Sequence, residues 1–196
     1  MTCIVGIKHE DGIYIGGDSA VSTGDLVQTL VDPKVWKKGN FIIGSAGGLR
    51  ALQIIKYKMK IPPINGKKPT HYMITSFIDA MRKCLKQAGA AREDKKEEEQ
   101  DNQFLVGYKG HLYEIDGYYG VCEVGDEFIA IGSGTDYALG SLHTTKGLPP
   151  EERLNKALEA AAYFSAGVQA PFHVIALPNK SATTKKKTKK TTKKKK

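Results

Sequence analysis

A threonine stands at position 2, behind the initiating methionine and at the head of the stretch "TCIVGIKHEDGIYIGGD". Aminopeptidases remove Met ahead of a small residue, so the mature chain is expected to begin at Thr2. An N-terminal threonine carries both a hydroxyl nucleophile and an α-amine of pKa about 7.7–8. The amine can take the proton of its own hydroxyl, so such a centre needs no histidine. Asp18 and Lys34 are the charged residues that suit its surroundings. An ammonium beside the amine would lower the amine's pKa by like-charge repulsion, and an aspartate beside the lysine would keep that lysine charged and in place. Gly47-Gly48, leading into a helical pattern, offer backbone amides to an oxyanion. Ser133, in "IGSG", stands at a similar strand-to-helix junction. Taken singly, each has a plainer reading: Asp18 as a cap, Lys34 as an exposed strand residue, the glycines as turn residues.

Counts and spacings exclude other chemistries. The three cysteines, Cys3, Cys84 and Cys122, are odd in number and far apart. They predict neither a disulfide framework nor a zinc site. The five histidines are scattered, so no metal and no cofactor are expected. No apolar stretch approaches the roughly 20 residues that span a bilayer. The first residues lack a basic region followed by an apolar one. The expectation is a cytoplasmic chain without membrane contact.

The net charge of +9 belongs to one end. The segment "KSATTKKKTKKTTKKKK", residues 180–196, holds ten of the 30 basic residues and no acid, which leaves the body 20 basic against 21 acidic residues. A segment of that composition is expected to be disordered. It would bind polyanions without specificity by counterion release, or serve only as a solubilising tail. Residues 1–179 read as one domain.

The elements that must position the chemistry follow from pattern. Ile4, Val5 and Ile7, the turn at Asp11-Gly12, and Ile13, Tyr14 and Ile15 predict a hairpin. "VDPKVW" and "NFIIGSAGG" predict two more strands, and "LRALQIIKYKM" a helix with Leu52, Ile55 and Met59 on one face. Met73, Phe77, Met81 and Leu85 predict an amphipathic helix of about 17 residues. "AREDKKEEEQDN" reads as a charged loop. "FLVGY", "HLYEI", "YYGVCEV" and "EFIAIGSG" predict strands. Helices follow over 135–145 and from Pro150, the second with Leu154, Leu158, Ala161 and Phe164 as its apolar face. "APFHVIAL" closes the domain as a strand. The order ββββ, αα, ββββ, αα, β predicts an α+β fold of two antiparallel sheets with helices on their outer faces.

Together these residues resemble the proteasome β-subunit and HslV family of N-terminal nucleophile hydrolases, from about Thr2 to Leu177. "TCIVGI…GGDS" is similar to the family's first hairpin, and Thr2 and Asp18 keep its sixteen-residue separation. "PKVW" offers Lys34 at the family lysine. "GSAGG" resembles the oxyanion loop, with Gly47 the amide donor. "AIGSGTDYA" offers Ser133, and next Thr135, as the serine that approaches the amine. "FSAG" offers Ser165, although the family's aspartate three residues earlier is Ala162 here. The resemblance implies a four-layer αββα sandwich and a threonine peptidase that cleaves peptide or protein substrates. It also implies stacked rings of six or seven subunits and an ATP-dependent unfoldase as partner. Val21, Trp36, Ser45 and Leu49 would shape the substrate pocket. Three alternatives stay open: an inactive ring subunit, an amidase using Cys3, and a polyanion-binding protein acting through the tail. Adjacent strand residues point to opposite faces, so Thr2 and Cys3 cannot both face Asp18 and Lys34.

Overall fold

In the computed structural model the strands are β1 (Cys3–His9), β2 (Gly12–Gly17), β3 (Ala20–Thr23), β4 (Leu26–Thr29), β5 (Val35–Lys38), β6 (Phe41–Ala46), β7 (Arg92–Asp94), β8 (Glu97–Glu99), β9 (Gln103–Tyr108), β10 (His111–Ile115), β11 (Val121–Glu123), β12 (Phe128–Gly132) and β13 (His173–Pro178). The helices are α1 (Leu49–Gln53), α2 (Pro69–Tyr72), α3 (Ile78–Gln87), α4 (Thr135–Thr144) and α5 (Pro150–Phe164). The structure describes residues 1–23, 26–94 and 97–179, and the expectation for the Lys-rich segment from residue 180 onward lies outside them.

Two antiparallel sheets carry the domain, in strand order β12-β1-β2-β13 and β11-β10-β9-β6-β5. The period of two along each strand divides its side chains between two layers. From β1, Ile4 points between the sheets, where it meets Ile15, Ile42, Leu105 and Ile131. Its neighbours Cys3, Val5 and Ile7 point outward beneath Leu142, Leu154 and Leu158 of α4 and α5. On the other sheet, Phe41, Ile43, Phe104 and Tyr108 point outward beneath Leu52, Ile55, Phe77 and Leu85. The four-layer αββα sandwich is therefore the observed architecture. Each fully buried Ile, Leu or Phe in these layers contributes about 1.5–3 kcal/mol.

The helix expected around Met73–Leu85 shows why a four-residue spacing matters. On a regular α-helix, residues four apart drift by about 40° per step. The run from Pro69 to Gln87 contains a π-helical stretch, Met73–Phe77, between α2 and α3. That wider turn brings Met73, Phe77, Met81 and Leu85 into one core, all fully buried. The segment after α1 is likewise π-helical, over Ile54–Lys58.

Three details differ from expectation. The charged stretch after α3 is a β-ribbon, with Arg92 opposite Glu99. A second ribbon, β3–β4, leaves the sandwich between β2 and β5, with Ala20 opposite Thr29. Neither has an apolar face for a sequence pattern to reveal. Phe164, at the end of α5, is 63% exposed and stacks on Tyr137 at 5.2 Å; the buried face of α5 stops at Ala161. No helix among the described residues is long and apolar enough to cross a membrane.

Candidate active site

Thr2, Asp18, Lys34, Gly47 and Ser133 each lie just beyond the end of a strand, and register brings those ends together. β1 pairs with β2 with Ile4 opposite Gly17, so the next step sets Asp18 opposite Cys3, and Asp18 N–H donates to Cys3 O at 3.3 Å. β1 pairs with β12 with Cys3 opposite Gly132, which brings Ser133 beside Thr2. Gly132 sits at φ +92°, and a Cβ there would lie 2.4 Å from Thr2 O. Only glycine lets the chain turn so tightly against Thr2. On the second sheet Lys34 and Ser45 are neighbours, with Ser45 N–H donating to Lys34 O at 3.1 Å.

Lys34 links the two sheets. Its Nζ donates to Asp18 Oδ1 and Oδ2 at 2.9 and 3.1 Å, and to Thr2 Oγ1 at 2.8 Å. Asp18 is fully buried and Lys34 4% exposed. The carboxylate also accepts from Cys3 N–H at 3.0 Å, Ala20 N–H at 2.8 Å and Gln169 N–H at 3.4 Å. A buried charge this well supplied with donors keeps its place at tolerable desolvation cost. Burial pulls the Lys34 ammonium below the ordinary lysine value, and the Asp18 charge pulls it back up.

Thr2 is 3% exposed. Its N–H donates to Ser133 Oγ at 3.1 Å, and Ser133 Oγ donates to Thr2 O at 3.3 Å. With Met1 attached, that nitrogen is a peptide amide, and Thr2 Oγ1 donates to Met1 O at 2.5 Å. The Met1 side chain packs over Gly167, where a Cβ would lie 1.9 Å from that of Met1. Cys3 faces the helix layer, away from Lys34 Nζ. Burial first, then the Asp18 charge, push its thiol up to about 12, against the opposing pull of Lys34. Such a thiol is a poor nucleophile. Ser165 donates its N–H to Ala161 O at 2.9 Å at the end of α5 and has no hydrogen bond to Thr2 among the described residues.

A cavity of about 360 Å³ opens over Thr2 and Lys34. Of the four residues expected to shape it, Val21, Ser45 and Leu49 line it, together with Gly47 and Gly48. Leu30 and Leu52 add apolar wall that the sequence did not suggest. Trp36 does not line it. It lies two residues beyond Lys34, buried in the outer core with Leu52 and Ile55, with Lys56 Nζ 5.5 Å from its ring centroid. A larger cavity, about 600 Å³, lies elsewhere between α3 and the turn at Tyr118-Tyr119, and holds none of these residues. No three His, Cys, Asp or Glu side chains among the described residues gather as a metal would require.

Gly47 adopts φ +127°, which a side chain would oppose, and a Cβ there would lie 2.4 Å from Asp101 O. Gly48 N–H is already taken, donating to Asn102 Oδ1 at 3.0 Å. Of the two glycine amides, Gly47 is thus left as the candidate oxyanion donor. Asn102 itself gave no signal in the sequence, standing at the end of a charged run.

Comparison with known proteins follows the same lines. No family model matches the chain. The ATP-dependent protease subunit HslV of Caldicellulosiruptor saccharolyticus is 28% identical over 169 residues, covering 82% of this chain and 89% of that protein. Among solved structures, Thiobacillus denitrificans BPH superposes with a TM-score of 0.77 at 18% identity, covering 90% of this chain and 97% of the other. Eukaryotic HslV from Trypanosoma brucei superposes with a TM-score of 0.65 at 20% identity, covering 90% and 99%.

Proposed function

Taking the chain as a proteasome β-subunit and HslV-type N-terminal nucleophile hydrolase, the kind its sequence and fold match, we propose that it is a threonine-type peptidase acting through Thr2. One observation carries this reading. Lys34, pinned by the buried Asp18, places its ammonium 2.8 Å from Thr2 Oγ1 at the floor of the cavity.

Removal of Met1 turns the Thr2 nitrogen into an α-amine beside Ser133 Oγ. Thr2 Oγ1 attacks the substrate carbonyl carbon while its proton passes to that amine. The carbonyl oxygen takes up the electron pair and the Gly47 N–H stabilises it. The C–N bond then breaks, and the α-ammonium returns the proton to the departing amine. Water, deprotonated by the same α-amine, hydrolyses the ester left on Thr2. The Lys34 charge favours the free-base amine by repulsion, and Asp18 holds Lys34 in position.

The curated relative is named a subunit of an ATP-dependent protease. We extend that to this chain as stacked rings of six or seven copies, served by an ATP-dependent unfoldase. Thr2→Ala is expected to abolish hydrolysis of an unstructured peptide while leaving the sedimentation coefficient of the assembly unchanged. Intact mass should show the loss of Met1 in the parent and in the variant. A Thr2→Ala protein that lacks Met1 and cleaves as fast as the parent would rule out Thr2 as the nucleophile.

A further inference from the structure

A Gly-Gly step is the most pliable backbone a chain can offer, yet the pocket depends on one. In the structure it is clamped. Asn102, 1% exposed and one residue before β9, pairs with Gly48 as one peptide group pairs with another. Gly48 N–H donates to Asn102 Oδ1 at 3.0 Å, and Asn102 Nδ2 donates to Gly48 O at 3.0 Å. Nδ2 also donates to Ser45 Oγ at 2.9 Å. A carboxamide can give and accept in this way at neutral pH, whereas a carboxylate of the same shape can only accept. Asn102 is itself held by the buried Gln100. Gln100 Oε1 accepts from Asn102 N–H at 2.7 Å, and Nε2 donates to Asn102 O and, at 3.1 Å, to Asp116 O. The backbone of 101–102 also presses on Gly47, where a Cβ would lie 2.8 Å from Asn102 Cα.

We propose that Asn102 is the positioning residue of the oxyanion donor, with Gln100 holding it in register. The inference rests on the Thr2 reading above. Asn102 acts through Gly48. By holding both Gly48 N–H and Gly48 O, it fixes the two peptide planes that flank Gly48, and so restrains the torsions at Gly47 that join them to the Ala46–Gly47 peptide, whose N–H is the donor, before substrate arrives. A donor aimed in advance costs no reorganisation when charge develops on the carbonyl oxygen. Side-chain recognition in the apolar part of the cavity is left to other residues, so the clamp should act on the rate of the chemical step and little on binding.

The test is Asn102→Asp, which keeps the shape and removes the donor. Its carboxylate still accepts from Gly48 N–H but sets an oxygen against Gly48 O. Once protonated, it can donate there and restore the pairing; burial raises the pKa at which this happens. Near pH 8, kcat for peptide hydrolysis should fall about 10²–10³-fold, the scale of a lost oxyanion donor. KM should stay within about twofold. The ratio of variant to parent rate should climb about tenfold as the pH falls toward about 6. Asn102→Ala has no proton to regain, and its ratio should stay flat. A raised KM with kcat unchanged, or a flat ratio for Asn102→Asp, overturns the proposal. Should the Asn102 variants fail to fold, Gln100→Glu is the substitute, with an expected loss of about tenfold in kcat at constant KM; an unchanged kcat there also overturns it. Amide hydrogen exchange at Gly48 separates this from the Thr2 reading. If the parent cleaves no peptide, that reading fails. Exchange at Gly48 that is no faster in Asn102→Ala, which removes the acceptor, than in the parent then overturns the clamp independently.

Discussion

Two clusters in this molecule contain the same kinds of groups and differ in how they are joined. At the strand ends, Thr2, Lys34 and Asp18 form a chain in which the cationic nitrogen lies between carboxylate and hydroxyl. On the surface, Thr70, Glu123 and His111 form another. There the carboxylate lies in the middle: Thr70 Oγ1 donates to Glu123 Oε2, and His111 Nδ1 lies 2.7 Å from Glu123 Oε1. By composition the surface cluster is the nearer of the two to a familiar catalytic set, with a hydroxyl, an imidazole and a carboxylate. Its connectivity defeats it. The imidazole never meets the hydroxyl, and the Thr70 hydroxyl, then the His111 ring, hold the Glu123 carboxyl below its ordinary value, which makes it a poor base. His111 and Glu123 are each 38% exposed, whereas Asp18 is fully buried. Order along the hydrogen-bond chain, and exclusion of water, turn a list of polar residues into a site.

Removing the carboxylate from each cluster should separate them by the widest margin. Asp18→Asn leaves the buried Lys34 charge without its partner and turns an amide group toward backbone donors. The expected cost is about 3–5 kcal/mol of folding stability. Peptide hydrolysis should fall by at least about 10²-fold, since Lys34 is no longer held. Glu123→Gln should cost less than about 1 kcal/mol and leave hydrolysis unaltered. Urea unfolding and peptide assays on both variants check this, and equal destabilisation by the two would dissolve the contrast.

Lys34 sharpens the comparison through pH. In the proposed mechanism the α-amine of the parent must be free base, which sets the acid limb of the rate profile, and Lys34 must be charged, which sets the alkaline limb. Burial has lowered the Lys34 value, so that limb should begin below the ordinary lysine pKa of about 10.4. Lys34→Met removes the repulsion, so the amine's pKa rises. The acid limb should move alkaline, the alkaline limb should vanish, and much of the lost rate should return as pH rises. Lys34→Arg keeps the charge at any accessible pH. It should lose rate through altered geometry with the acid limb in place. Rates between about pH 6 and 10, bracketing the ordinary α-amine value, distinguish these outcomes. A Lys34→Met protein inactive throughout would make Lys34 a proton carrier and not a source of charge.

The group Thr2, Asp18, Lys34, Gly47 and Ser133 was legible because each lies at the end of a strand that declares itself by apolar run and turn. The sandwich was legible for the same reason, since β1, β2, β6, β9 and β10 supply near-continuous buried runs rich in β-branched and aromatic residues. The ribbons β3–β4 and β7–β8 were not, since backbone ladders without an apolar face leave no period to detect. Trp36 was misplaced because it lies close to Lys34 in sequence, and only the helical layer above it shows that it is roofed over. Asn102 and Gln100 were invisible for a different reason. Asn102 meets Ser45 and Gly48 across 57 and 54 residues, and in "EEEQDN" both resemble solvated surface. Polar residues that act by long-range pairing carry no local signature, whereas those that act at strand ends do.

The smallest expected effect lies in the surface cluster and tests whether it acts as a solvent-screened ion pair. The folded pKa of Glu123 lies below its unfolded value, held down first by the Thr70 hydroxyl and then by His111. A carboxyl shifted that way binds protons more weakly in the folded state. Its contribution to stability is therefore present above the unfolded value, about 4.3 for glutamate, and is lost as pH falls through the lower folded value. Glu123→Gln should reduce the slope of unfolding free energy against pH in that acid window and leave the slope near neutrality unchanged. It should not abolish the slope, because Asp11, shifted the same way first by the His9 ring, continues to titrate. With both partners more than a third exposed, the effect should stay under about 1 kcal/mol and shrink further in about 1 M salt, where the screening length is about 3 Å. The buried pair supplies the control, since salt should change the stability difference between Asp18→Asn and the parent far less. Urea titrations at several pH values, in low and high salt, measure both. An acid slope that Glu123→Gln leaves untouched, or a salt response as weak as that of the Asp18 pair, would show that exposure does not distinguish the two clusters.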